Sequence, residues 1–466
     1  MRALLVSYVF PPVGGAGVGR TLKLAKYLPD HGVEPAVLTC ANPSVPVFDE
    51  SLLRDVRPGL EIVRARTFEP GYGLKKATWE EANGGGNGAR GGGASRRLIR
   101  FAGGLARAAL VPDPQILWQP HAQMVLAQRL AARRDDVVFI SGPPFSQFLL
   151  APPARAARGI GVVLDYRDEW VTYRNTYEMM GRASAAVGSA LERALVRAAH
   201  AVTTATAAFR DRLLADFPFL DPDRVHAIPN GYDPDDFPPP AELPAPPRDR
   251  FVVTYAGTIF KLTSPRGLIG ALRRLHREEP ELARLLEVRF IGRIVDTELP
   301  LFADSAELGA VQLGYLGKSE VVRELAGSHL VLCLLDDVAG AERIYPAKIF
   351  ELMYLRRRCL TLAPPGALAD LCRQHQLGAV IAPRDEAAIA AHLVAALRDF
   401  RAGNYPVDVE PSDVDRYHRR AQAGRFAAVF QQAHQAAQAT DSTDRPARPP
   451  TRWPESPGRS HTPGGD

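Results

Sequence analysis

Along this chain, short unbroken apolar runs ended by glycine, proline or small polar residues alternate with stretches whose apolar residues recur every three or four positions. The first kind reads as strand buried on both faces, the second as helix packed against it. Strand-like runs fall at 3–9, 33–40, 136–141, 161–165, 200–204 and 225–228, and again at 251–256, 288–291, 311–313, 330–335, 359–363 and 378–381. Between the two sets lies a stiff connection running from Pro238-Pro239-Pro240 to Pro247. The alternation predicts an α/β protein with two doubly wound parallel sheets, in domains 1–235 and 236–410. Ser412 is placed to cap a last helix over 411–436, carrying Val414, Tyr417, Ala421, Val429 and Phe430. Beyond it the chain turns to proline, serine and arginine, and 437–466 is expected to be a disordered tail.

With 466 residues, 46% hydrophobic and 23% charged, there is material for two cores. The net charge of +5 is concentrated. Residues 82–112 hold five arginines, Arg90, Arg96, Arg97, Arg100 and Arg107, and no acid. Asn83 to Gly93 is glycine-rich linker. From Arg96 to Leu110, an apolar side of Leu98, Phe101, Ala102, Leu105 and Ala109 stands opposite Arg96, Arg100 and Arg107. This pattern suits either peripheral attachment to an anionic membrane surface or a helix packed on its own domain with a wet basic face. No aromatic-and-basic motif accompanies the charge, so no nucleic acid partner is expected. Cys40, Cys333, Cys359 and Cys372 lack metal-ligand spacing and read as reduced thiols of a cytoplasmic protein. Pro11 and Pro12 interrupt the N-terminus too soon for a signal peptide, and no apolar run approaches a spanning helix.

Candidate chemistry gathers just past the strand ends. The loop from Phe10-Pro11-Pro12 through Gly14, Gly15 and Gly17 to Gly19-Arg20 lets backbone N–H groups approach an anion, or forms a plain tight turn. Its two prolines, and the absence of an acid in Thr39-Cys40-Ala41-Asn42 after the second strand, argue against dinucleotide binding. In Tyr166-Arg167-Asp168-Glu169-Trp170, Arg167 and Asp168 either grip hydroxyls or brace two loops. The most informative stretch is Tyr345-Pro346-Ala347-Lys348-Ile349-Phe350-Glu351-Leu352. Pro346 fits the first turn of a helix, whose free N–H groups and dipole seat a phosphate. Lys348 and Glu351 share one face, while Ile349, Leu352 and Met353 turn inward. Such a pair is ordinarily a solvated one. Yet the 57 basic side chains include only seven lysines, so a chain that defaults to arginine keeps a compact ammonium here.

Several motifs follow in a specific order. They are Phe10-Pro11-Pro12 to Gly19-Arg20, Pro112-Asp113-Pro114 with Trp118, Ser141-Gly142-Pro143-Pro144, and Asp165-Tyr166-Arg167-Asp168-Glu169-Trp170. Pro229-Asn230-Gly231-Tyr232-Asp233, Tyr255-Ala256-Gly257-Thr258 and Pro346-Ala347-Lys348-Ile349-Phe350-Glu351 continue the series. Over about residues 1–430 the chain resembles family-four-like glycosyltransferases of the GT-B fold. The resemblance implies two Rossmann-like domains facing a central cleft, with the late helix returning to the first domain. It implies transfer of a sugar, with retention, from a UDP- or GDP-sugar to a glycan or lipid-linked acceptor in cell-envelope or exopolysaccharide synthesis, without cofactor or metal.

By the same resemblance Glu351 is the ribose-binding second acid of an E-x7-E element. The first place holds Arg343, a departure, with Glu342 one position short. Thr258 stands near a place usually held by a diphosphate-gripping arginine, and Lys261 or Arg266 is available instead. The donor side then comprises Glu351, Gly257, Thr258, Lys261, Arg293, Ile344 and Tyr345, with Lys348 and Arg266 on the leaving diphosphate. Asp168 serves the acceptor side, and Gly14, Gly15, Gly17, Arg20 and Arg167 form the acceptor or phosphate loop. No convincing carboxylate nucleophile stands out, which favours same-face attack guided by the leaving group. A sugar-nucleotide epimerase, a phosphorylase or a non-catalytic nucleotide-sugar-binding relative would share this fold.

Overall fold

The computed structural model describes residues 1–15, 17–73, 75, 110–170 and 182–443. Every position of β4 (Val137–Gly142), β5 (Gly161–Tyr166), β8 (Phe251–Ala256) and β11 (Leu330–Leu334) is buried, as unbroken apolar runs require of strands covered on both faces. They are the centres of two all-parallel sheets. The first also holds β1 (Arg2–Val6), β2 (Glu34–Cys40), β3 (Glu61–Ala65), β6 (Ala201–Thr204) and β7 (Val225–Ala227), in the order β3-β2-β1-β4-β5-β6-β7. The second adds β9 (Leu286–Ile291), β10 (Ala310–Gly314), β12 (Cys359–Leu362) and β13 (Gly378–Ile381), in the order β10-β9-β8-β11-β12-β13. One strand, β3, escapes the apolar-run pattern. It is an edge strand only partly buried, and its Glu61 pairs with Arg2 and Arg129.

Both sheets reverse winding direction once, between β1 and β4 and between β8 and β11. Such switch points open a crevice beyond the carboxyl ends of the strands. The loops carrying Gly14 to Gly17 and Gly142 to Pro144 flank the first crevice. The loop after β8, with Gly257 and Thr258, and the segment from β11 to the helix Lys348–Leu355 flank the second.

The chain crosses between domains twice, and the crossings bind each other. Tyr232 N–H donates to the Tyr417 carbonyl at 3.1 Å, and Arg419 N–H to the Tyr232 carbonyl at 2.9 Å. Gly231 is required at this meeting, since a Cβ there would stand 1.9 Å from the Tyr417 carbonyl oxygen. After the second crossing, the helix Arg419–Thr443 packs Ala423, Phe426, Ala427, Phe430 and Ala433 against Ala3, Leu5, Phe139, Val163 and Ala201 of the first sheet. Phe139 meets Phe426 and Phe430 at centroid distances of 5.5 and 5.3 Å. Ser412 does not cap this helix. It precedes a 3-10 turn, Val414–Tyr417, and its carbonyl takes up His375 instead. The helix also runs to Thr443, past the expected boundary at 436, because apolar spacing persists through Ala433 and Ala437.

The basic stretch from Arg96 to Ala109 lies outside the described residues, as does the chain after Thr443. Among the described residues, no helix is long and apolar enough to cross a membrane. The four cysteines are buried free thiols.

Candidate functional site

The helix Lys348–Leu355 begins two residues later than a proline at its first position would put it. Pro346 lies outside the first turn, before the capping Ala347, and its carbonyl accepts the Ile349 N–H at 3.0 Å. The helix is fixed from behind. Ile349, Phe350, Leu352 and Met353 are buried, Phe350 lies 4.9 Å from the Tyr417 ring, and Tyr354 stacks on Tyr232 at 4.4 Å. Both tyrosines belong to the interdomain crossings, so the hinge and this helix form one packed unit.

The remaining face carries the charges. Glu351 accepts from Lys348 at 3.1 Å and from Lys318, at the start of the helix Lys318–Ala326, at 2.6 Å. Burial works against the Glu351 carboxylate, but the two ammonium groups overcome it and hold its carboxyl down at about 2. For Lys318 the balance goes the other way. Burial pushes its ammonium down, and Lys348 adds to the push against one shared carboxylate. The cluster therefore carries two cations and one anion, a surplus suited to an anionic ligand. Arg419 sits within electrostatic reach of Glu351, and burial brings its guanidinium down to about 10. Its side-chain contacts are long, 3.5 Å to Asn230 and 3.4 Å to Gln422.

At the second switch point the loop after β8 is braced internally. The Tyr255 and Thr263 hydroxyls both donate to the Thr258 carbonyl, at 3.1 and 2.7 Å. Gly257 donates its N–H to the Ile291 carbonyl. Gly292 has φ +123, and a Cβ there would meet the Gly257 carbonyl at 2.3 Å, so two strand ends touch through glycine. Lys261 is exposed on this loop, whose Leu262 carbonyl accepts the Asp336 N–H from the end of β11. Arg266 is exposed at the start of the helix Arg266–Glu278, and Arg293 is exposed after β9. Ile344 and Tyr345 are half-buried beside the start of the helix Lys348–Leu355, with Tyr345 against Phe350.

In the first domain, Gly14 donates its N–H to Val47, Gly15 takes φ +95, and Gly17 offers its carbonyl to Arg167. Arg167 also donates to the Pro143 carbonyl, so it ties together the two loops that flank the crevice. Of the two readings of Arg167, bracing is the one the geometry describes. Arg20 departs from the loop role. It is 2% exposed and fork-bonded to Asp165, with further bonds to the Ile228 and Pro229 carbonyls, so all three guanidinium nitrogens are engaged inside the fold. Asp168 keeps a solvent-exposed side chain although protein surrounds it widely. That surrounding protein raises its carboxyl above the usual range despite Arg167 and Arg20 nearby.

Sequence reading passed over Lys318, Arg419 and a lysine cluster at the hinge. Lys23 donates to Asp55, Asp233 and Asp236 at 2.6, 2.6 and 2.7 Å, and Lys26 to Asp55, Asp233 and Asp235. The three carboxylates that bond to Lys23 stand close enough to hold a metal ion, and its ammonium is at their centre. The scarcity of lysine was the signal, since Lys23, Lys26, Lys318 and Lys348 are four of the seven.

Residues 14–231 match the glycosyl transferase 4-like domain family. A D-inositol 3-phosphate glycosyltransferase of Stackebrandtia nassauensis is 38% identical over 85 residues, a match that spans 17% of this chain and 19% of that relative. The fold is shared with Anabaena Alr3699/HepE, solved in complex with UDP and glucose, at a TM-score of 0.55 and 14% identity over 95% of this chain and 100% of that one. It is shared too with sucrose-phosphate synthase from Thermosynechococcus elongatus, at a TM-score of 0.59 and 13% identity over 95% and 100%. Two parallel sheets, each with its own switch point, are the GT-B arrangement, and residues 14–231 of this chain match the glycosyl transferase 4-like domain family.

Proposed function

We propose that this protein is a glycosyltransferase that moves a sugar, with retention, from a UDP- or GDP-sugar to a glycan or lipid-linked acceptor. The observation that carries the reading is Glu351, held ionised between Lys318 and Lys348 where a helix opens at a switch point. Glu351 would accept hydrogen bonds from the donor ribose. As the bond from the anomeric carbon to the diphosphate breaks, its electron pair stays on the diphosphate oxygen. Lys348, Arg266 or Lys261 and the first-turn N–H groups would meet that growing charge. The acceptor hydroxyl attacks from the same face and passes its proton to the departing oxygen, with Asp168 accepting a hydrogen bond that orients it.

A thermal-shift screen of nucleotides and nucleotide sugars tests the donor, and release of free nucleotide with a lipid extract tests transfer. Binding without release would favour a nucleotide-sugar-binding relative, a reading that suits the arginine at 343. A lipid-linked acceptor would also give the basic segment from Arg96 to Leu110 a purpose, as peripheral attachment to the inner face of the cytoplasmic membrane. Each basic residue near an anionic surface adds roughly 1 kcal/mol. Sedimentation with anionic vesicles should then weaken with salt and with Arg96, Arg97, Arg100 and Arg107 changed to Gln.

A further inference from the structure

The position eight before Glu351 holds a cation, Arg343, and the structure shows what it meets. Its Nη2 donates to Glu169 Oε2 at 2.9 Å and its Nε to Oε1, a two-pronged pair between a loop of the second domain and the loop after β5 of the first. Its third nitrogen, Nη1, contacts Glu342. The Arg343 carbonyl is taken as well, by the Thr206 hydroxyl at 2.6 Å, and that hydroxyl also accepts the Phe209 N–H at the head of the helix Ala207–Asp216. Side chain and main chain of one residue thus both reach the opposite domain.

The surroundings distinguish this pair from an ordinary surface contact. The Glu169 side chain is only 8% exposed and that of Arg343 22%. A fork-like arginine–carboxylate pair at that burial fixes direction as well as distance. Its place in the chain matters equally. Glu169 follows Asp168, and Arg167 on the other side of Asp168 is tied down to the Gly17 and Pro143 carbonyls. Arg343 lies five residues before Lys348, on the segment that leads into the helix Lys348–Leu355. The loop bearing Asp168 is therefore anchored to its own domain on one side and to the lysine-bearing helix of the other domain on the next.

We propose that Glu169 and Arg343, with Thr206, form a latch across the cleft that sets the separation between the Asp168 loop and the Lys348 helix. They are positioning residues, and their catalytic part of the claim rests on the transferase reading above. The latch itself does not. Two-domain clefts close by small hinge rotations, and a pair that spans the cleft away from the hinge biases that rotation.

The test uses the full chain with nitroxide labels at Met124→Cys in the first domain and Arg277→Cys in the second, both exposed positions, while the native cysteines are buried. Pulsed electron resonance should give one narrow distance for the parent protein. Arg343→Ala and Glu169→Gln should lengthen and broaden it, and the reversed pair Glu169→Arg with Arg343→Glu should restore it. Circular dichroism and Arg343→Lys, which keeps the charge but not the fork, guard against a variant that fails to fold. In the nucleotide-release assay Arg343→Ala should lower turnover roughly 10- to 100-fold while the affinity for UDP by calorimetry changes little, because misplacement acts on the reacting geometry. Unchanged distances in both single variants would overturn the latch. Failure of the parent protein to bind UDP, GDP or their sugars would instead remove the transferase reading and leave the distance measurement to decide the latch alone.

Discussion

Two clusters of lysine and carboxylate lie on either side of the interdomain crossing, and they differ in balance. At the hinge, the ammonium groups of Lys23 and Lys26 face the four carboxylates of Asp55, Asp233, Asp235 and Asp236. At the helix Lys348–Leu355, Lys318 and Lys348 share the carboxylate of Glu351. The first cluster is closed. Lys23 is buried, its ammonium is pushed up by Asp236 and Asp233 against the pull of burial, and Asp233 is held far below the usual range. The second holds two lysines to one glutamate, and Lys348 keeps a partly exposed side chain. Lys318 stands 3.9 Å from Asp236, so the two clusters nearly touch. Similar groups thus give a net negative cluster where acids are in excess and a net positive one where lysines are.

That contrast can be broken in order of expected effect. Lys23→Met removes the central ammonium, leaving Lys26 as the remaining lysine on Asp55 and Asp233 and taking from Asp236 its 2.7 Å partner. Unpairing buried charge costs roughly 3 to 5 kcal/mol, so urea unfolding should show a loss of that size. A loss under about 1 kcal/mol would mean that the hinge cluster is no clamp.

Lys348→Ala should act on rate. If its ammonium meets charge that grows on the leaving diphosphate, turnover should fall roughly 100- to 1000-fold with little change in donor affinity. A raised KM with turnover intact would make Lys348 an anchor.

Glu351→Ala should weaken donor binding by roughly 0.5 to 3 kcal/mol, the range for a lost hydrogen bond to a charged acceptor, and because it strands the Lys318 ammonium it should cost folding stability as well. Calorimetry with the nucleotide sugar reads this directly, and unchanged affinity with activity retained removes the ribose role.

The smallest effect is a matter of pH. If Asp168 orients the acceptor hydroxyl, it does so best as a carboxylate, and its carboxyl is raised by the protein around it. Activity should therefore be full at neutral pH and fall as pH drops through a value above the ordinary aspartate pKa of about 3.9. In Asp168→Asn this acidic limb should vanish from the pH–rate profile at reduced activity. A limb that persists belongs to another group.

Much of this molecule could be read from the chain. The central strands are unbroken apolar runs because each is covered on both faces, and Phe251–Ala256 and Gly378–Ile381 fall where the pattern put them. The edge strand Glu61–Ala65 left no such run. Lys348 and Glu351 were legible because they are neighbours on one helix turn. Lys318 bonds to Glu351 across 33 positions, Lys23 to Asp233 across 210 and Arg343 to Glu169 across 174, separations at which no periodicity connects two residues. Arg20 shows the converse. Its place at the end of a glycine loop pointed outward, while its partner Asp165, a strand residue, drew it inside.

The helix Arg419–Thr443 has a consequence for synthesis. Its Phe426 and Phe430 complete the core around Phe139, yet the whole second domain is made between the last strand of the first sheet and this helix. Chains emerge from the ribosome N-terminus first, and domains ordinarily fold as they appear. Here the first domain must wait with Leu5, Phe139 and Val163 uncovered on one face until the second has been translated. During that interval the nascent chain presents the apolar surface that Phe426 and Phe430 later cover.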